Sequence, residues 1–142
     1  MDNASLYEFL ANHRYGVVSS LGNDGAPQSA LVGIAVTPAL EIIFDTLKLS
    51  RKYSNLLEYP ACSFVIGWEN EQTVQFEGIA EKLWGLELER LQAVYFSVWP
   101  DGQMRASWPS IAYFVVRPTW VRYSDYNQQP PFAAEFRFPM PS

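Results

Sequence analysis

Asp45-Thr46-Leu47-Lys48-Leu49-Ser50-Arg51-Lys52-Tyr53-Ser54-Asn55-Leu56-Leu57 carries the chain from a strand into a helix. The run before it, Glu41-Ile42-Ile43-Phe44, is β-branched and aromatic and predicts a buried strand. Tyr53, Leu56 and Leu57 recur at helical spacing, and Pro60 ends the helix because the residue before a proline avoids the helical region. Ser50 stands at the N-cap, with a hydroxyl suited to accept a first-turn N–H. Arg51 and Lys52 follow, where a helix already carries partial positive charge and favours acids over bases. Two readings fit this inverted polarity. Either a phosphate sits on the backbone donors, the two cations and the Thr46 and Ser50 hydroxyls, or this is a solvated helix start with two surface bases. The stretch by itself does not separate them.

The chain around it has 142 residues, the size of one domain with a real core. Aromatics make up 15% of it, more than a lean monomeric core needs, which suits a packed interface or a site for a flat ligand. Fifteen acids against ten bases leave a net charge of -5, which disfavours nucleic acid and anionic membranes as partners. Against that background Lys48, Arg51 and Lys52 are three of the ten bases within five residues, with no acid among them. Cys62 is the lone cysteine, so no internal disulfide and no Cys/His metal cluster is expected. No apolar run has signal-peptide or membrane-spanning length, and the expectation is a soluble cytoplasmic protein.

In chain order, Asp2 and Asn3 predict the cap of a short helix reaching Asn12, with His13 at its end complementing the dipole. Tyr15–Leu21 and Gln28–Val36 read as two strands joined by the turn Gly22-Asn23-Asp24-Gly25. The small residues of the second, Ser29, Ala30, Gly33 and Ala35, fit either a close approach to the backbone or a barrel corner. Further strands are expected over 41–45, 62–68 and 73–83, the last with Val74, Phe76 and Ile79 inward and a bulge at Gly78. Leu86, Leu88, Leu91, Val94 and Tyr95 predict an amphipathic helix, followed by a loop through Trp108-Pro109. Two more strands, 111–116 and 119–124, flank Pro118, which argues for a bend or an edge. Residues 1–126 thus form a single domain, and 127–142, with four of the ten prolines, wrap its surface or lie loose. Six or seven strands and three short helices, joined by turns too short for parallel crossovers, give a mainly β, antiparallel barrel.

Gly25-Ala26-Pro27-Gln28, Phe44-Asp45-Thr46, Ser50-Arg51-Lys52, Asn55-Leu56, Tyr59-Pro60 and Gly78-Ile79-Ala80-Glu81 occur in an order that resembles the pyridoxamine 5'-phosphate oxidase-like, FMN-binding split-barrel family over about residues 5 to 125. The resemblance implies a six-stranded antiparallel split β-barrel, a homodimer, and FMN in clefts at its interface. It implies that Thr46, Ser50, Arg51 and Lys52 hold the FMN phosphate. Ala30, Leu31 and Val32 would run beside the isoalloxazine, and Gln75 would reach it from the long strand. The true oxidase carries an Arg and a Lys on the strand matching 28–36, whereas here no base lies between Arg14 and Lys48. Arg117, Arg122 and Arg137 do not match its substrate-phosphate residues either, so the resemblance extends to FMN and not to vitamin B6 oxidation.

With one His and one Cys, nucleophilic catalysis by side chains has thin support, and the flavin would carry any redox chemistry. Trp68, Trp99 and Trp108 fit core or interface packing better than stacking on a flavin or substrate. Three functions are therefore expected in order. The first is an FMN-dependent oxidoreductase of a small molecule, then a non-catalytic flavin carrier or sensor. A haem-binding relative comes last, with Cys62 or a tyrosine as axial ligand.

Overall fold

The computed structural model describes residues 1–141. In order the elements are α1 (Asn3–Ala11), β1 (Tyr15–Leu21), β2 (Pro27–Gly33), β3 (Ala35–Val36), β4 (Ile42–Leu47), α2 (Arg51–Glu58), β5 (Ala61–Ile66), β6 (Gln72–Lys82), α3 (Gly85–Val98), α4 (Gly102–Arg105), β7 (Ile111–Asp125) and β8 (Phe132–Arg137). All strands join one antiparallel sheet in the order β2-β1-β5-β6-β7-β4-β3, with β8 added beside β7. The two ends of that order, β2 and β3, are separated in the chain by Ile34 alone, so the sheet curls until its edges meet. The expected single strand over 28–36 is therefore two, broken where Ile34 donates its N–H to the Arg14 carbonyl at 2.8 Å. Both readings of its small residues apply at Gly33. It is the barrel corner, and a Cβ there would lie 2.8 Å from the Trp99 ring.

The core has two layers. Ile42, Phe44, Phe64, Phe76, Phe114 and Val116 fill the barrel, while Ile43, Tyr113 and Val115 face outward against Leu91 and Tyr95 of α3. Covering both faces explains why Ile42-Ile43-Phe44 is an unbroken apolar run rather than an alternating one. Leu86, expected on the packed face of α3, lies on the first turn of the helix and is 83% exposed.

The two strands expected around Pro118 are one strand of 15 residues. Along one edge β7 pairs with β4 over 111–116 and with β8 over 120–125, so Pro118 falls in the gap between partners, where a missing N–H costs nothing. On the other edge the register slips between Glu77 and Gly78, and Thr119 is the extra residue. A Cβ on Gly78 would meet the Arg117 carbonyl oxygen at 2.5 Å, which is why glycine stands there. Because the extra residue lies on β7, the alternation along β6 runs unbroken through Val74, Phe76, Gly78 and Ala80, so Ala80 and not Ile79 takes the inward place. The expected six or seven strands took β3 in as the end of the strand over 28–36 and left out β8. The latter was hidden because alternating Phe132, Phe136 and Phe138 sit among prolines.

Candidate functional site

The Phe44-Asp45-Thr46 strand end delivers the chain into α2 at one rim of the barrel. Ser50 has the extended backbone of an N-cap, φ -75° and ψ 152°, yet its hydroxyl does not cap the helix. It donates instead to the Leu47 carbonyl at 2.8 Å and meets the Thr46 hydroxyl at 2.8 Å. This corrects the expected capping role, and it leaves the first-turn N–H groups of α2 without a side-chain acceptor. Asn55, buried on the next turn, donates to Ser20 Oγ at 3.1 Å and Gln28 Oε1 at 2.9 Å, tying α2 to the β1–β2 hairpin.

Between α2 and that hairpin lies a cleft of about 140 Å³ lined by Ser20, Gln28, Ser29, Ala30, Arg51 and Lys52, with Val18 at its floor. No carboxylate lines it. Neither Arg51 nor Lys52 forms an ion pair among the described residues. Burial pushes the Lys52 ammonium below the ordinary lysine range, against the opposing pull of Asp45. Cations, hydroxyls and free backbone N–H groups with no internal anion fit a phosphate.

Lys52 also lines a second cleft of about 330 Å³, so the two adjoin. Its walls are Leu31, Val32 and Gly33 of β2, Asp45 to Leu47 of β4, Ser50, and Arg105, Trp108 and Ile111 from the far side. Seven of the eight expected site residues thus border one continuous depression: Ala30 and Arg51 at one end, Leu31, Val32, Thr46 and Ser50 at the other, Lys52 between. Gln75 does not join them. It is exposed on the outer face of β6, opposite Val65 and Arg122 in register. Arg105 and Trp108 were not assigned to the site from sequence. They come from the α3–β7 connection, and Arg105 reaches Asp45 across 60 positions, a juxtaposition no spacing signals.

Leu31, Leu47, Leu49 and Trp108 leave large apolar surface exposed around the second cleft. Trp99 is a packing residue: its Nε1 donates to the Ile34 carbonyl at 3.0 Å and the Arg14 guanidinium lies 4.1 Å over its ring. Trp68 lines a separate cleft of about 460 Å³ with Phe9, His13 and Tyr15. His13 Nδ1 donates to the Phe9 carbonyl at 2.7 Å, so the sole histidine lies outside the α2 depression. Among the described residues no group of three or more His, Cys, Asp or Glu side chains is placed to hold a metal ion. None of the helices described is long and apolar enough to cross a membrane.

The family profile of pyridoxamine 5'-phosphate oxidase matches residues 3–125. Among solved structures, a heme binding protein from Mycobacterium smegmatis is similar over 96% of this chain with TM-score 0.82 and 18% identity. The chain spans only 58% of that protein's length. A conserved hypothetical protein of Mycobacterium tuberculosis is similar over 100% of this chain and 91% of its own, at 23% identity and TM-score 0.75. A pyridoxamine 5'-phosphate oxidase-related, FMN binding protein from Nostoc punctiforme covers 96% of this chain and 93% of its own, at 11% identity and TM-score 0.67. A search of curated proteins finds no match. Identities this low speak for the fold, the curled antiparallel barrel of a split-barrel protein, and the profile speaks for the family. The chain belongs to the pyridoxamine 5'-phosphate oxidase family.

Proposed function

We propose that this chain is a cytoplasmic FMN-binding flavoprotein, an oxidoreductase of a small molecule that works as a homodimer. The observation carrying the proposal is the uncapped start of α2, with Arg51 and Lys52 unpaired over a cleft that no carboxylate enters. Arg51, Lys52 and the first-turn N–H groups would hold the phosphate, and the Thr46 and Ser50 hydroxyls, whose protons go to Ser50 and the Leu47 carbonyl, would have to turn to donate to it. Leu31, Val32 and Gly33 would line the ring on one side and Trp108 on the other. When bound, the flavin supplies hydride and electron transfer. A second copy resting on Leu31, Leu47, Leu49 and Trp108 would bury their exposed surface and close the cleft to water.

A flavin carrier or sensor would use the same residues, and turnover separates it from an enzyme. Reduction of the bound flavin by NAD(P)H, followed by reoxidation with a small-molecule acceptor, is the behaviour expected of the oxidoreductase. The haem reading has less support from the side chains. Cys62 is packed into the barrel core, where burial pushes its thiol up to about 12, and His13 lies in another cleft.

The test is an absorption spectrum of the purified protein followed by ligand titration. FMN should bind at least tenfold more tightly than riboflavin, which lacks only the phosphate and its charge-assisted contacts, worth about 1.5–3 kcal/mol each. Equal affinity for the two, or a Soret band in place of a flavin spectrum, overturns the proposal. Light scattering that shows a monomer at every concentration removes the dimer.

A further inference from the structure

We propose that Arg105 sets the redox preference of the bound flavin by placing a fixed guanidinium charge in the ring cleft, where it favours the reduced, anionic ring over the oxidised, neutral one. This rests on the FMN reading above and adds a residue on which that reading does not depend.

Arg105 is the last residue of α4 and lines the 330 Å³ cleft opposite β2. Its Nε donates to Asp45 Oδ2 at 3.0 Å, and Nη1 lies 3.5 Å from Asp101. The other Asp45 oxygen accepts from the Tyr95 hydroxyl at 3.1 Å. Asp45 therefore has a donor on each oxygen, and its charge is turned toward Arg105 and Tyr95. Its side chain is 14% exposed and that of Arg105 26%, so the pair sits where charge is weakly screened. Asp45, Lys52 and Arg105 are the charged side chains lining this cleft, and two of the three are cations. Lys52 stands where the cleft meets the phosphate site and so is committed there, leaving Arg105 as the cation for the ring. The same ion pair ties α4 to β4, so the role proposed for Arg105 comes in addition to that tether.

The chemistry is a matter of charge. Two electrons and one proton taken up by the oxidised ring leave it with one more negative charge, and a guanidinium already in place stabilises that charge without reorganising. Asp45 and Tyr95 are positioning residues in this scheme, since they act through Arg105.

The experiment measures the affinity for oxidised FMN and the midpoint potential of the complex, with dithionite as reductant, for wild type, Arg105→Gln and Arg105→Lys. The Gln variant should lose at least tenfold of the preference for reduced over oxidised FMN, which for a two-electron couple is a fall of about 30 mV. The Lys variant should keep most of it. Should Arg105→Gln fail to fold because Asp45 is left unpaired, the same change is read in an Asp45→Asn background, where Asp45→Asn/Arg105→Gln should fall below Asp45→Asn by the same amount. An unchanged potential in the Gln variant, or between Asp45→Asn and the double variant, or an equal fall in Lys and Gln, overturns the inference while leaving the phosphate site standing. A wild type that does not bind FMN more tightly than riboflavin overturns the FMN reading and this inference with it.

Discussion

Arg117 and the Arg51-Lys52 pair show two opposite ways for this acidic chain to place its few bases. Arg117 lies among three carboxylates, with Nε 3.3 Å from Glu41, Nη1 3.2 Å from Glu81 and Nη2 3.4 Å from Glu87. Its charge is used internally, fastening β7 to β6, to the start of α3 and to the β3–β4 turn. Arg90, Arg122 and Arg137 are likewise paired with acids, and Arg105 stands between the two cases, paired with Asp45 yet lining the ring cleft. Fifteen acids are available, so leaving Arg51 and Lys52 without one is not a shortage of partners. A cation paired at home adds to stability, whereas one left open at the positive end of a helix lowers it and makes sense against an external anion.

The largest expected effect breaks that contrast at its open end. Arg51→Ala with Lys52→Ala should weaken FMN binding at least tenfold, two charge-assisted contacts being worth about 1.5–3 kcal/mol each. The measurement is a flavin fluorescence titration. Stability of the unliganded variant should hold or rise, because no internal ion pair is lost. Arg117→Met should do the reverse. It strands the Glu41 carboxylate, 14% exposed, and should cost about 1–3 kcal/mol in urea unfolding with FMN affinity unchanged. If the two variants affected the same observable, the division between internal and external use of charge would fail.

Gly78→Ala sharpens the comparison from the backbone side. The bulge that Gly78 permits is what sets Arg117 opposite Ile79 and within reach of Glu81. A Cβ only 2.5 Å from the Arg117 carbonyl must push β7 away, which should cost about 1–3 kcal/mol of stability, read as a lower urea midpoint. The α2 corner, on another part of the rim, should bind FMN as before.

What could be read from the chain follows the range of the interactions involved. The α2 corner was legible because its signals are local: a strand end, an N-cap serine, two misplaced bases and a terminating proline lie within sixteen residues, Asp45 to Pro60. Gly78 was legible as a bulge for the same reason. The extra residue on the partner strand was not, since Thr119 is marked only by its register against Glu77 and Gly78. Pro118 was legible as an edge position, which it occupies between β4 and β8, but not as lying inside one strand, because a proline signals a missing donor without ending the pairing on the other side. β8 stayed hidden among prolines until β7 offered it an edge. In the site, the β2, β4 and α2 residues came from local pattern and family resemblance, while Arg105 and Trp108 needed the fold of the α3–β7 connection. Gln75 shows the converse. A residue of suitable chemistry on a suitable strand sits on the outer face, where only another copy of the chain could bring it to a flavin.

The smallest effect tests whether Lys52 is charged for the ligand's sake. Burial lowers its pKa in the free protein, and a bound phosphate would raise it again, so binding and protonation are linked. The sign follows from that. FMN affinity should be full below the free-state pKa of Lys52. It should fall as pH rises from there, through the higher pKa of the complex, starting below the ordinary lysine value of about 10.4. Lys52→Arg, whose guanidinium does not titrate in this range, should bind FMN at neutral pH and lose the decline, a difference of a few-fold at alkaline pH. Riboflavin, with no phosphate to sense the charge, should show no such pH dependence in either protein. A decline that survives in Lys52→Arg, or appears equally with riboflavin, would mean that some other group titrates. Lys52 would then be a partly buried base of the kind Arg117 represents, without its carboxylates.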